Sequence, residues 1–239
     1  MRPVRRGPAP ATFENYQDAL PDLVQRMGSY CSYCERCVRQ GIAVEHVQAQ
    51  DLYPDLKTAW SNFLLACTNC NSTKSNKDVK PETVFLPDRD NTLCAFSYAA
   101  DGIVRPAPDL TPGQHKMALE AIALTGLATP KGSRATDGVE IPLDRIKQRK
   151  EVWQEALDAK HDLQEPGNVE GVRKWVIKQA TARGFFSIWM TVFADDPQMR
   201  LALIHAFAGA AESGCFDLQT AALVSPAPNP DQLPGGGKI

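Results

Sequence analysis

CTNCNSTK, residues 67–74, holds two cysteines, two asparagines and a lysine in eight positions. Cys67 and Cys70 form a C-x2-C pair, and an earlier pair, Cys31-x2-Cys34, stands 32 residues before it. Four thiolates in two such pairs suit one tetrahedral Zn²⁺. A plain zinc ribbon separates its pairs by about 15–20 residues, so the longer interval leaves room to build something inside the loop that the zinc closes. Cys37 keeps a second pairing open, because CSYCERC also sets Cys34 and Cys37 at C-x2-C spacing, and spacing does not decide between them. Cys31 and Cys34 are the working choice. Cys94 and Cys215 fall in apolar patterns and read as buried structural thiols.

The surroundings predict a mainly helical α+β chain. TFENYQDALPDLVQRM (12–27) has helical apolar spacing that Pro21 breaks or kinks. IAVEHVQAQ (42–50) reads as a strand entering a loop. LKTAWSNFLLAC (56–67) shows a helical apolar face from Trp60, Phe63 and Leu64, with the second cysteine pair at its end. TLCAFSYAADGIVRP (92–106) predicts a β-hairpin turning at Asp101-Gly102. Helical patterns follow at 110–127, with a threonine start signal, and at 142–164, 168–184, 185–193 and 197–213. ATPKGSRATDG (128–138) reads as a loop. The Pro/Gly-rich end, 225–239, is expected to be disordered. The predicted organisation is therefore residues 1–108, a helical unit at 109–224, and the tail.

Composition restricts the class of protein. Of 239 residues, 43% are hydrophobic and 23% charged, ordinary for a globular protein with a real core. No apolar run approaches the roughly 20 residues that span a bilayer, so no membrane role is expected. The basic start, MRPVRRGPAPATF, lacks the apolar region of a secretory signal. A cytoplasmic location is the expectation, and it favours metal over disulfides for the cysteine pairs. The net charge of −2 divides into +2 over residues 1–80 and −4 over the rest. Any phosphate binding must therefore come from a local patch.

Inside the zinc loop stand Glu45-His46 and Asn62, with Asn71 directly after the last cysteine. The order C-x2-C, Glu-His, Asn, C-x2-C-N-x2-K across residues 31–77 resembles the HNH endonucleases, the ββα-metal or His-Me finger nucleases, in their His-Asn-Asn form braced by a four-cysteine zinc. The resemblance implies a small zinc-braced ββα-metal core within residues 1–108, with the added hairpin and helical part attached, and DNA phosphodiester hydrolysis as the activity. The chemistry suits the residue types. His46 is the histidine inside the loop, and an imidazole that titrates near neutrality can take a proton from water. Glu45 offers a hard oxygen to a catalytic Mg²⁺ or Mn²⁺, and Asn71 can add a neutral carbonyl oxygen. The family more often carries Asp at the position of Glu45. By resemblance Asn62, at the start of a helix, fixes the orientation of His46, and Lys74 lies near a phosphate, with Lys77 and Lys80 extending that basic edge. A zinc closed by thiolates has no open position, so the catalytic ion is a separate one. His115, His161 and His205 read as structural or surface residues.

The stretches FENYQDALPDLVQRMGSYCSYCER, VEHVQAQDLYPDLKTAWSNFLLACTNCNSTK and FLPDRDNT also resemble the HNH subunit of Septu-type antiphage systems, also found beside retrons. That resemblance implies an ABC/SMC-like ATPase partner. Arg145, Lys147, Arg149, Lys150, Arg173, Lys174 and Lys178 on the predicted helices read either as a DNA-facing patch or as a solvated face. Two other functions fit the same motif: a stand-alone restriction or mobile-element HNH nuclease, and a non-catalytic zinc-braced module that binds nucleic acid.

Overall fold

The computed structural model describes residues 1–128, 144–165, 167 and 169–239. A 3₁₀ turn at Tyr16–Ala19 leads into α1 (Leu20–Met27), and Pro21 lies in the first turn of that helix, where its missing N–H costs nothing. Gly28 ends α1. Strand β1 (Ile42–His46) pairs antiparallel with β2 (Phe63–Cys67), with Ile42 opposite Cys67 and His46 opposite Phe63. Helix α2 (Thr68–Lys74) leaves β2 without a loop, so Cys67 closes the strand and Cys70 sits in the first turn.

β2 corrects the helical expectation for residues 56–67. Its helical content is limited to 3₁₀ turns, one ending at Leu56 (Pro54–Leu56) and one at Trp60–Asn62, and Phe63, Leu64, Leu65 and Ala66 are each fully buried. Trp60, Phe63 and Leu64 do match helical spacing. However, a short apolar run buried on both faces is equally a strand, and length decides for the strand. Buried Arg6 reinforces this by binding the Phe63 carbonyl and Asp88, and donates to the Ser61 carbonyl at 2.9 Å.

The expected hairpin is shorter than its sequence. Residues Thr92–Ala95 form a helical turn, α3, and only β3 (Phe96–Ser97) and β4 (Arg105–Pro106) pair. Helix α4 (Pro112–Thr125) begins as expected. Thr111 accepts from the Gln114 amide and Gln114 returns the bond, a reciprocal cap. Among the described residues, four α-helices follow: α5 (Arg145–Asp162), α6 (Val169–Arg183), α7 (Phe186–Val192) and α8 (Pro197–Ala206). The loop expected at 128–138 lies, beyond residue 128, outside the described residues, as does the expected start of the helix at 142–143.

Two apolar cores result. One unites α1, β1, β2 and the zinc segment with Ala118, Ala121 and Ile122 of α4. The other lies among α5–α8 and residues 207–227. The first core therefore extends through α4. The cores meet where Phe185 N–H donates to the Glu35 carbonyl at 2.9 Å and Ser187 N–H to the Glu35 carboxylate at 2.7 Å. Gly184, at φ +79°, permits this approach, since a Cβ there would stand 2.3 Å from the Glu35 carbonyl oxygen.

The tail is packed rather than disordered. Ala227, Leu233 and Ile239 are buried. Lys238 pairs with Asp90 at 2.8 Å, and Gly237 N–H donates to the Arg89 carbonyl. Apolar anchors and ion pairs offset the ordering entropy that composition alone suggested would win. No helix among the described residues is long and apolar enough to cross a membrane.

Candidate zinc and nuclease site

The four sulfurs of Cys31, Cys34, Cys67 and Cys70 lie within 4.8 Å of one another, and all four residues are buried. Cys34 and Cys67 are 3.8 Å apart. Thiolates at ~2.3 Å from a tetrahedral Zn²⁺ stand about 3.8 Å from each other, so the donors fit the ion in number, type and spacing. Burial raises the Cys31 thiol well above its ordinary value, while hydrogen bonding with Cys31 lowers Cys67. Four thiols packed in this way need a cation to ionise together. Cys37 is outside the cluster. It lines a separate groove of about 590 Å³ with Arg36, Arg39 and Arg183, which settles the pairing that spacing left open.

Two arginines compensate the negative charge of such a centre. Arg145, 3% exposed, donates to Cys70 Sγ at 3.3 Å and to the Thr125 and Gly126 carbonyls. Arg36 is held more strongly protonated by the charges of Cys34 and Cys67, against the opposing effect of its own burial. Sequence reasoning grouped Arg145 and Arg149 with a DNA-facing or solvated set. Both are buried instead, Arg149 on the Gly102 and Leu127 carbonyls at 2.6 Å each. Arginines placed between the two cores look identical in sequence to surface ones.

The zinc segment fixes β2 and α2, and these in turn define a cleft. Its volume is about 280 Å³, and Glu45, His46, Gln50, Asp51, Asn71 and Lys74 are among its lining residues, with Tyr16 at the edge. Glu45 and His46 are strand neighbours and so leave β1 on opposite faces. The cleft lies at the end of the strand, where both reach it.

His46 packs edge-on between Tyr16, at 4.7 Å, and Phe63, at 5.3 Å. Its Nε2 is 2.8 Å from the Lys57 carbonyl oxygen. A carbonyl only accepts, so Nε2 carries the hydrogen and Nδ1 keeps the lone pair in the neutral ring. Burial lowers the His46 pKa, the carbonyl of Lys57 opposes that, and the Lys74 and Lys57 charges lower it further.

Asn62 does not enter the cleft. Its Oδ1 accepts from Gln48 N–H at 2.8 Å, and its Nδ2 donates to the carbonyls of Gln48 at 2.9 Å and Leu56 at 3.3 Å. It therefore ties Gln48 to Leu56, the residue before Lys57, and reaches His46 through backbone rather than by contact. It also stands in the 3₁₀ turn before β2, not at the start of a helix.

Asn71, half-buried on α2, has no side-chain hydrogen-bond partner among the described residues. Glu45 is 3% exposed, and burial raises its pKa against the opposing pull of Lys74. Lys74 is 1% exposed. Its Nζ donates to the His46 carbonyl at 2.6 Å and pairs with Glu45 Oε1 at 2.7 Å, off the direction of a hydrogen bond. Glu45 Oε1 and the buried Gln50 Oε1 are thus acceptors without an aligned donor, the hard oxygens a Mg²⁺-like ion binds. Lys77 and Lys80 point elsewhere. Lys77 meets the Ala123 and Leu124 carbonyls, and Lys80 meets Asp78 and the Tyr53 hydroxyl. His115, His161 and His205 are exposed and away from the cleft.

The Lys57 carbonyl, Tyr16, Gln50 and Asp51 were not singled out from sequence. A backbone acceptor has no residue-type signature, and the other three acquire meaning only from the cleft. No curated protein matches the chain. Residues 31–77, which carry the four cysteines and the Glu45, His46, Asn62, Asn71 and Lys74 set, match the family described as HNH endonuclease, so this segment is an HNH endonuclease domain with a four-cysteine cluster.

Proposed function

We propose that the protein is a metal-dependent endonuclease that hydrolyses DNA phosphodiester bonds, with His46 as general base. The observation that carries this is the fixed ring of His46: Nε2–H is committed to Lys57, so Nδ1 is the site that can accept a proton. Lowered basicity keeps that nitrogen unprotonated near neutral pH.

In the reaction His46 Nδ1 takes a proton from water. The water oxygen bonds to phosphorus, and the bond from phosphorus to the leaving oxygen breaks. Glu45 and Asn71 would hold Mg²⁺ or Mn²⁺, which supplies Lewis acidity at the phosphate and charge for the leaving oxygen. Asn62 keeps the Lys57 loop in place. The zinc cysteines hold α2 against β2, so that Asn71 faces β1.

The antiphage reading of the sequence resemblance makes this chain the nuclease effector beside an ABC/SMC-like ATPase. Cleavage of supercoiled plasmid by the zinc-loaded protein, alone and with that ATPase, tests the activity. Cleavage that needs Mg²⁺ or Mn²⁺ supports it. Nucleic-acid binding with no cleavage under either condition would make the chain a binding module instead.

A further inference from the structure

The cation nearest to the proposed metal ligand belongs to the protein itself. Lys74 Nζ lies 2.7 Å from Glu45 Oε1 and 2.6 Å from the His46 carbonyl oxygen, and both side chains are almost wholly buried. Asn71 is one turn earlier on α2 and lines the same cleft. A divalent ion bound at Glu45 would stand a few ångströms from the ammonium, inside a cleft wall that screens charge poorly. Two cations cannot share one buried carboxylate oxygen without a large Coulomb cost.

We infer that Lys74 is a tethered competitor for the catalytic cation, and that nucleic-acid phosphate relieves the competition by drawing the ammonium off Glu45. The inference rests on the metal-dependent reading above. Lys74 is suited to the exchange. Its ammonium is a point charge on a flexible four-carbon stem, and it lines the cleft in which phosphate would bind. Moving to a phosphate replaces one ion pair with another and leaves Glu45 free for the metal. Metal and DNA binding are then positively coupled, and the coupling is reciprocal. The free protein would hold its catalytic ion weakly, and the centre would be complete only on substrate.

The test is Mn²⁺ binding to the full-length, zinc-loaded chain, read from the electron paramagnetic resonance signal of free Mn²⁺. Without DNA, Lys74→Met should bind Mn²⁺ about tenfold more tightly than wild type, within the range usual for coupled sites. Glu45→Gln should lose that binding. In a His46→Ala background, which prevents turnover, a short DNA duplex should tighten Mn²⁺ binding several-fold more when Lys74 is present than in Lys74→Met, where only direct contact between phosphate and metal remains, and equal tightening in the two overturns the inference. Equal or weaker Mn²⁺ binding in Lys74→Met, with Glu45→Gln still losing it, overturns the competition and leaves the metal centre standing. Unchanged Mn²⁺ binding in Glu45→Gln overturns the metal centre itself, and the competition with it. If Lys74→Met loses its zinc or its cooperative melting, Lys74→Gln replaces it. The duplex arm with Lys74 intact decides independently, because no tightening by DNA also overturns the inference.

Discussion

His46 Nε2 donates to the carbonyl oxygen of Lys57 at 2.8 Å, which assigns the ring hydrogen to Nε2 and proton acceptance to Nδ1. Burial, chiefly, holds this imidazole below its ordinary 6.5. In the proposed mechanism the base therefore stays neutral to a lower pH than an ordinary imidazole, and the fall of kcat/KM on acidification is expected to be centred below 6.5. The unfolded chain protonates first, so the contribution of His46 to stability is complete above pH 6.5 and is lost as pH falls through the folded-state value. A pH–rate profile centred above 6.5 would contradict this assignment.

In the proposed mechanism Asn62 acts at a distance, because its side chain bonds the Gln48 and Leu56 backbone. Asn62→Ala leaves buried backbone groups unpaired and should cost about 1–3 kcal/mol of stability. It should lower kcat about 10–100-fold, as loss of a residue that orients a catalytic ligand does, with DNA affinity little changed. Melting curves and separate kcat and KM values check both effects. Affinity falling in step with kcat would instead make Asn62 a contact residue.

The cysteine cluster predicts one zinc per chain, and it predicts which substitutions remove it. Cys34→Ser should lose the metal and the cooperative fold, because binding energy at such a site is folding energy. Cys37→Ser should keep one zinc and unchanged melting, since Cys37 lies in the groove with Arg36, Arg39 and Arg183. Metal analysis of the two purified variants separates them.

Lys77, although close to the motif in sequence, bonds the last carbonyls of α4. Lys77→Ala should leave DNA affinity within about twofold and cost no more than about 0.5–1 kcal/mol, the range of an exposed charge at a helix C-terminus. A clear drop in affinity, with a shallower salt dependence, would return Lys77 to the phosphate contacts.

Much of the site was legible because its chemistry is carried by residue type and spacing. The two C-x2-C pairs come together in one cluster, and Glu45, His46 and Asn71 line one cleft. What was not legible lies in backbone and context. Phe63–Cys67 fits a helical or a strand pattern, and only burial on both faces makes it β2. The Lys57 carbonyl has no signature in the sequence. Arg145 reads as a surface residue until the docking of α5 places it beside Cys70. Lys74, expected at a phosphate, is found 2.7 Å from Glu45, a pairing that β1 and α2 create in space and that sequence order does not show.

The central claim is that His46, in a cleft held by the cysteine cluster, activates water for phosphodiester hydrolysis. The most direct measurement is conversion of supercoiled plasmid to nicked and linear forms by wild type and His46→Ala, each zinc-loaded and supplied with Mg²⁺ or Mn²⁺, with and without the proposed ATPase partner. The account predicts cleavage by wild type that chelation of the divalent ion stops, and at least about a 10²-fold loss in His46→Ala with its fold retained. Cleavage by His46→Ala equal to wild type would contradict it.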